Sequence, residues 1–230
     1  PPKLDYDIRY VSTVETLAEV ILEEARRAEN TSGDFMTVLL DDEGATFWAC
    51  DKQEKRHQQW RYKRQRSNQW ETLLGMLDRP YTSLEFYKRL LKLEPSLQAA
   101  DVVLQAFQKT RVTDKSQFQD QNVFSSDGFE RSNQIKLSIT GGDGDMEIKI
   151  PETIHFKVPA VRGSATTYSL AALVEIKAER HEDKTIAKFG LSVPTMDLTK
   201  EQLLLDEAEA LKVLIKPTLP NVLVGMNYGG

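Results

Sequence analysis

The chain has 230 residues, with 30 Lys and Arg against 35 Asp and Glu, a net charge of −5, and 40% hydrophobic and 28% charged residues. These values fit one domain or two small ones with a substantial core, and they argue against coating of DNA by bulk charge while leaving room for a local basic patch. A single cysteine, Cys50, excludes an intrachain disulfide and fits a reducing compartment, no apolar run approaches the roughly 20 residues of a membrane span, and no signal-peptide pattern opens the chain.

In chain order, Pro1–Tyr10 is expected to be an extended arm. Val14, Leu17, Ala18, Ile21, Leu22 and Ala25 then recur at helical spacing behind Thr13, which predicts an amphipathic helix over about 13–29, ended by Asn30-Thr31-Ser32-Gly33. Phe35–Leu40 and Ala45–Cys50 flank Asp41-Asp42-Glu43-Gly44, which predicts a hairpin with Gly44 at positive φ. Gln58–Gln65 is a third expected strand. From Ser67 the period becomes helical: Ser67 caps a stripe of Trp70, Leu73, Leu74 and Leu77. Thr82 and Glu85 form a capping box ahead of Leu84, Phe86, Tyr87, Leu90 and Leu91, and Glu94-Pro95-Ser96 opens a third helix with Leu97, Ala100, Val103, Leu104 and Phe107. Gln108–Ser132 has little periodicity and is expected to be a loop or linker.

From Asn133 to Val193 apolar and polar residues alternate, as strands with one buried face require. The apolar sets are Ile135, Leu137, Ile139; Met146, Ile148, Ile150, Ile154, Phe156, Val158; Tyr168, Leu170, Ala172, Val174, Ile176; and Ala187, Phe189, Leu191, Val193. Pro151 interrupts the second set as a bend or edge position. Gly141–Asp145, Arg162-Gly163-Ser164 and Glu179–Lys184 are the connections, so the strands are expected to form an antiparallel meander. A last helix is expected over about 199–214, with Leu203, Leu204, Ala208, Leu211 and Leu214 inward, stopped by Pro217 and Pro220 and followed by an apolar tail, Asn221–Tyr228.

The strongest candidate for a binding site is Lys52–Trp70, in which seven basic residues (Lys52, Lys55, Arg56, Arg61, Lys63, Arg64, Arg66) face one acid, Glu54, with Trp60, Tyr62 and Trp70 interleaved. Cations for phosphates and rings for bases are what a single-strand binder needs. On a strand, however, Trp60, Tyr62 and Arg64 share one face and Arg61 and Lys63 the other. A strand with core aromatics and a solvated basic face, or a charged interface with another copy, satisfies the same residues. The last helix is the second candidate: Leu205, Val213 and Ile215 widen its stripe of Leu203, Leu204, Leu211 and Leu214, so it is either deeply buried or an oligomer interface exchanged together with the terminal arms.

Metal and covalent chemistry find little here. His57, His155 and His181 are far apart and Cys50 is alone, which argues against zinc and favours a small core thiol over a nucleophile. Gly141-Gly142-Asp143-Gly144-Asp145 lacks the Lys-Ser/Thr and helix start of a phosphate loop and the closing Glu of a calcium loop. Asp41-Asp42-Glu43 reads as turn chemistry. No cofactor is expected.

Arg56-His57-Gln58-Gln59-Trp60, Ser67-Asn68-Gln69-Trp70 and Tyr81-Thr82-Ser83-Leu84-Glu85-Phe86, taken in order, resemble the middle of the YfdQ-like proteins of phages and prophages. Ile150-Pro151-Glu152 with Phe156-Lys157-Val158-Pro159-Ala160-Val161-Arg162-Gly163 resembles that family's Ile-Pro-Glu segment, and Val222-Leu223-Val224-Gly225 its ending. The likeness runs over roughly 13–228. The family's His-Arg-Ala is here His57-Gln58-Gln59, and its Asp-Tyr-His is here Ala49-Cys50-Asp51. The resemblance implies a phage or prophage protein made inside the bacterial host cytoplasm. It carries no catalytic residues, because the family is a domain of unknown function.

Together these readings give an α+β fold: an antiparallel meander with packed helices and an N-terminal helix–hairpin unit. The segments are 1–110, a linker at 111–132, and 133–230, joined in one compact body. The expected function is a non-enzymatic phage protein that self-assembles into a homo-oligomer, up to a large assembly, with no membrane partner. The alternatives are a nucleic-acid accessory protein of phage recombination or replication, and a counter-defence protein binding a host factor or signalling nucleotide.

Overall fold

The structure is a computed structural model and describes residues 8–50, 57–110, 117–118, 134–140, 146–181 and 184–227. The fold is α+β, and the chain divides into two compact units, Pro1–Gln65 with Asp197–Gly230, and Arg66–Met196. The division therefore departs from the expected one. The boundaries fall at 65/66 and 196/197 instead of at a 111–132 linker, because the C-terminal helix returns to the N-terminal strands.

In chain order the elements are β1 (Ile8–Val11), α1 (Val14–Arg27), β2 (Thr37–Asp41), β3 (Gly44–Cys50), β4 (His57–Lys63), α2 (Asn68–Met76), β5 (Tyr81–Thr82), α3 (Ser83–Lys92), a 3-10 turn at Glu94–Ser96, α4 (Ala100–Thr110), β6 (Gln117–Phe118), β7 (Gln134–Thr140), β8 (Met146–Pro151), β9 (Thr153–Val158), β10 (Tyr168–His181), β11 (Lys184–Ser192), α5 (Met196–Ile215) and β12 (Leu223–Met226).

The first unit is a five-stranded sheet in the order β1-β4-β3-β2-β12. The expected hairpin is its centre. β2 and β3 pair antiparallel with Asp41 opposite Gly44, and the Asp41 carboxylate closes the turn by accepting from the Glu43 and Gly44 amides at 2.9 and 3.0 Å. β4 pairs antiparallel with β3. Ile8–Tyr10 of the expected arm and Leu223–Met226 of the expected tail are in strands of this same sheet, since β1 runs parallel to β4 and β12 parallel to β2, while the rest of the arm lies outside the described residues. One face of the sheet packs on two helices. Leu17, Ala18, Ile21 and Ala25 of α1 and Leu204, Ala208, Leu211 and Ile215 of α5 bury Val38, Leu40, Ala45, Phe47 and Tyr62. Each of the Leu, Ile, Val and Phe side chains contributes about 1.5–3 kcal/mol by leaving water, and each alanine methyl about half of the lower figure. α1 begins where Thr13 accepts from the Thr16 amide at 3.1 Å.

The second unit puts α2, α3 and α4 with a four-stranded sheet, β5-β11-β10-β9, and has a separate three-stranded sheet, β6-β7-β8. β9, β10 and β11 are a true antiparallel meander. The longer meander expected from the alternation does not form, because β8 and β9, on either side of Glu152, join different sheets. Pro151 ends β8, and with no N–H to give it suits a strand end. Phe86, Phe107 and Phe189 meet in the core, with ring centroids 4.9 Å apart for the first two and 5.7 Å from each to Phe189. The Thr82–Glu85 capping box forms as the sequence predicts, and Ser67 accepts from the Trp70 amide at 3.0 Å. The third helix begins at Ala100, not at Glu94, whose segment is a 3-10 turn. The expected loop starts late, since α4 runs to Thr110, and Gln117–Phe118 is a short strand. The remainder of that segment and the Gly141–Asp145 loop lie outside the described residues.

Candidate functional site

β4 holds Trp60, Arg61, Tyr62 and Lys63 of the predicted stretch, Arg64 follows directly on its end, and the alternation sorts these residues. Trp60, Tyr62 and Arg64 face the helices, while Arg61 and Lys63 point to the opposite, exposed face. Lys55 and Arg56, also predicted, lie outside the described residues. Arg66 belongs to the second unit, where its backbone bridges Val161.

Arg64 is not available to a ligand, contrary to the sequence-based expectation. Its side chain is 2% exposed and pairs with Glu207 of α5, 9% exposed, at 2.6 Å. Arg64 Nε donates to both carboxylate oxygens at 3.0 and 3.1 Å, Nη1 to the Asp42 carbonyl at 2.6 Å and Nη2 to the Asp41 carbonyl at 3.0 Å. The Tyr62 hydroxyl donates to Glu207 Oε1 at 3.2 Å. A buried guanidinium is tolerable when its fork is filled in this way. Burial opposes its charge, but the hydrogen bond and attraction of Glu207 outweigh burial and raise the Arg64 pKa. Burial, reinforced by the adjacent Glu207 charge, pushes the Tyr62 hydroxyl well up.

Trp60 is likewise withdrawn. It packs against the core, and the Arg9 guanidinium sits 5.2 Å from its ring centroid. Its Nε1 is buried with no hydrogen-bond partner among the described residues. Of the predicted residues of this stretch that the structure describes, only Arg61 and Lys63 present a cation on the exposed face of the first unit.

That exposed face holds residues the sequence reading passed over. In register across the sheet, one row is Ile8, Gln59, Trp48, Thr37 and Leu223, and the next is Tyr10, Arg61, Thr46, Leu39 and Gly225. Tyr10 is 66% and Leu223 65% exposed. Both core helices lie on the other face. The detectable signal was parity: Trp48 and Arg61 fall on one face once β3 and β4 pair with Gly44 opposite Lys63. Tyr10 joins them only through a parallel pairing that has no local signature.

The predicted oligomer residues on α5 also divide. Leu203, Leu204 and Leu211 are buried within the chain, so they are corrected to core positions, while Leu205 and Leu214 are exposed at 37% and 42%. Leu198 and Val213 add to the exposed apolar side chains of this helix. Glu207 was missed, although an acid on the inward stripe between Leu203 and Leu211 needs a buried cation.

Cys50 and His57 are Cα partners across β3 and β4, but their side chains lie outside the described residues, as does that of His181. His155 is exposed on β9. Among the described residues no three His, Cys, Asp or Glu side chains gather as a metal site, and no helix is long and apolar enough to cross a membrane.

Comparison with family models, with curated proteins and with solved structures gives no match for this chain.

Proposed function

We propose that the protein is a non-enzymatic, self-assembling protein encoded by a phage or prophage and acting in the cytoplasm of its bacterial host. The observation that supports assembly is α5. This 20-residue helix already buries one side, yet it exposes Leu198, Leu205, Val213 and Leu214. Large apolar side chains left exposed in such number on a helix whose other side is in the core favour a partner surface, and a second copy is the partner available to every molecule. Leu203, Leu204 and Leu211 take no part in this contact. The phage origin is supported by the order of the short motifs that resemble the YfdQ-like proteins.

Light scattering coupled to size exclusion tests the assembly. The wild type is expected as a defined multimer, and Leu205→Glu with Val213→Glu as a smaller species of unchanged circular dichroism. A wild-type monomer at micromolar concentration defeats the proposal.

A further inference from the structure

The open face of the five-stranded sheet is not used by the assembly just proposed, and its chemistry is mixed in a particular way. Tyr10 of β1 stands beside Arg61 of β4 as a Cα partner. Arg61 is opposite Thr46, and Trp48 lies two residues along β3 from Thr46, so Trp48 is the diagonal neighbour of Arg61 on the same face. Lys63 continues the line of β4 beyond Arg61. Strand spacings of about 4.8 Å and rises of about 3.3 Å per residue put the Tyr10 and Trp48 Cα atoms roughly 11–12 Å apart, with the guanidinium stem between them. Arg61 and Lys63 are exposed, and neither makes an ion pair with a described carboxylate. The nearest hairpin acid in register, Asp41, is committed to the Glu43 and Gly44 amides.

Two exposed cations, the exposed Tyr10 ring and the half-buried Trp48 ring on one face, with exposed Ile8 and Leu223 at its margin, do not make a simple solvated surface. A sheet face of this composition supplies phosphate contacts from the cations and stacking surfaces from the rings. A duplex hides its base faces from such a surface, whereas a single strand presents them. The apolar margin fits the thymine methyl group. The amide and threonine hydroxyls of this face are withdrawn, since Gln59 is buried and Thr37 and Thr46 are half-buried, which leaves no polar group among the described residues for a ribose 2′-hydroxyl beyond those engaged with phosphate and base.

We propose that this face is a binding platform for single-stranded DNA, with bases stacked on Tyr10 and Trp48 and the phosphate backbone held by Arg61 and Lys63. The platform differs from the stretch that the sequence singles out. Trp60, Tyr62 and Arg64 belong to the core, and the working rings come from β1 and β3. It does not depend on the assembly through α5.

Fluorescence anisotropy with a labelled oligo-dT of about 15 nucleotides, at about 50 and 200 mM salt, tests this on the full chain. The wild type is expected to bind, more weakly at the higher salt, and at least tenfold more weakly to a duplex or to oligo-rU of equal length. Arg61→Glu with Lys63→Glu is expected to lose at least tenfold, and the salt slope is expected to fall by about two contacts. Tyr10→Ala is expected to lose roughly five- to hundredfold, the range for one stacked base. Tyr10 is mostly exposed on an edge strand, so this variant keeps the fold, which circular dichroism checks. Lys157→Glu on β9 is the control and is expected to bind as the wild type does. No binding by the folded wild type, binding that survives the double reversal, or oligo-rU bound as tightly as oligo-dT overturns the assignment. So does a change of mass in Tyr10→Ala without a change in DNA affinity, because the face would then be an interface between copies.

Discussion

Arg64, the residue directly after β4, and Glu207 of α5 form a buried, multiply hydrogen-bonded ion pair across 143 positions of sequence, and the same guanidinium holds the Asp41 and Asp42 carbonyls of the β2–β3 turn. The pair thus fixes three things at once: the end of β4, the hairpin turn and the rotation of α5. Its geometry is specific where the surrounding leucines are not. A helix held by Leu204, Ala208, Leu211 and Ile215 alone can slide or rotate at small cost, whereas a rotation that moves Glu207 away leaves a bare guanidinium in the core.

Removing one partner is therefore expected to be far worse than removing both. Arg64→Met leaves the Glu207 carboxylate buried, and Glu207→Leu leaves the guanidinium buried. Each is expected to cost about 3–5 kcal/mol in urea or guanidinium denaturation. The double variant is expected to recover most of that loss, because a hydrophobic pair of similar volume carries no desolvation penalty. The cycle gives the coupling directly, and additive single losses would show that the pair does not act as a unit.

The Tyr62 hydroxyl couples the stability of the first unit to alkaline pH. Burial and the neighbouring Glu207 charge hold it well above its ordinary value of about 10. The folded state thus keeps its proton at pH values where the unfolded chain releases it. Below pH 10 the two states bind equal protons and stability does not change on this account. Above it the unfolded state binds fewer, so stability falls as pH rises toward the folded value, by about 1 kcal/mol at pH 11. Tyr62→Phe lacks this contribution. Denaturation midpoints from pH 9 to pH 11 are expected to fall more steeply in the wild type than in Tyr62→Phe, and parallel curves would contradict the assignment.

Local chemistry was legible in the sequence, and long-range pairing was not. Ser67 and the Thr82–Glu85 box cap helices as predicted, and Thr13 caps the helix expected behind it, because a cap is decided within four residues. The alternation at Ile154–Val158 and Tyr168–Val174 gave the correct buried face for the same reason. The alternation could not say that β8 and β9 part at Glu152 into different sheets, since parity is the same on both sides. Nor could it say that β1 and β12 add in parallel at opposite edges, because parallel neighbours need no shared turn. The basic stretch misled in an instructive way. Its charge was read as surface, yet Arg64 shares parity with Trp60 and Tyr62, and a cation in phase with core rings calls for a buried acid elsewhere.

Gly44 is where the hairpin, β4 and the ion pair meet, and it tolerates no side chain. Its φ is +153°, where L side chains are rare, and a Cβ there would collide with the Tyr62 carbonyl oxygen and crowd the Arg64 amide. Both obstacles are backbone, so neither can rotate away. Moving them would shift Tyr62 and Arg64 relative to Glu207 and to the Asp41 and Asp42 carbonyls. Gly44→Ala is expected to cost at least about 2–3 kcal/mol. Gly75 in α2 is the counterpart: a Cβ there meets nothing within 4 Å, and its helical backbone suits alanine. Gly75→Ala is expected to stabilise by about 0.5–1 kcal/mol through helix propensity and lost freedom in the unfolded chain. Opposite shifts in the thermal midpoint from one and the same substitution separate the packing at Gly44 from a general effect of adding a methyl group. Equal shifts would mean that the close approach of β3 to β4 yields to a Cβ.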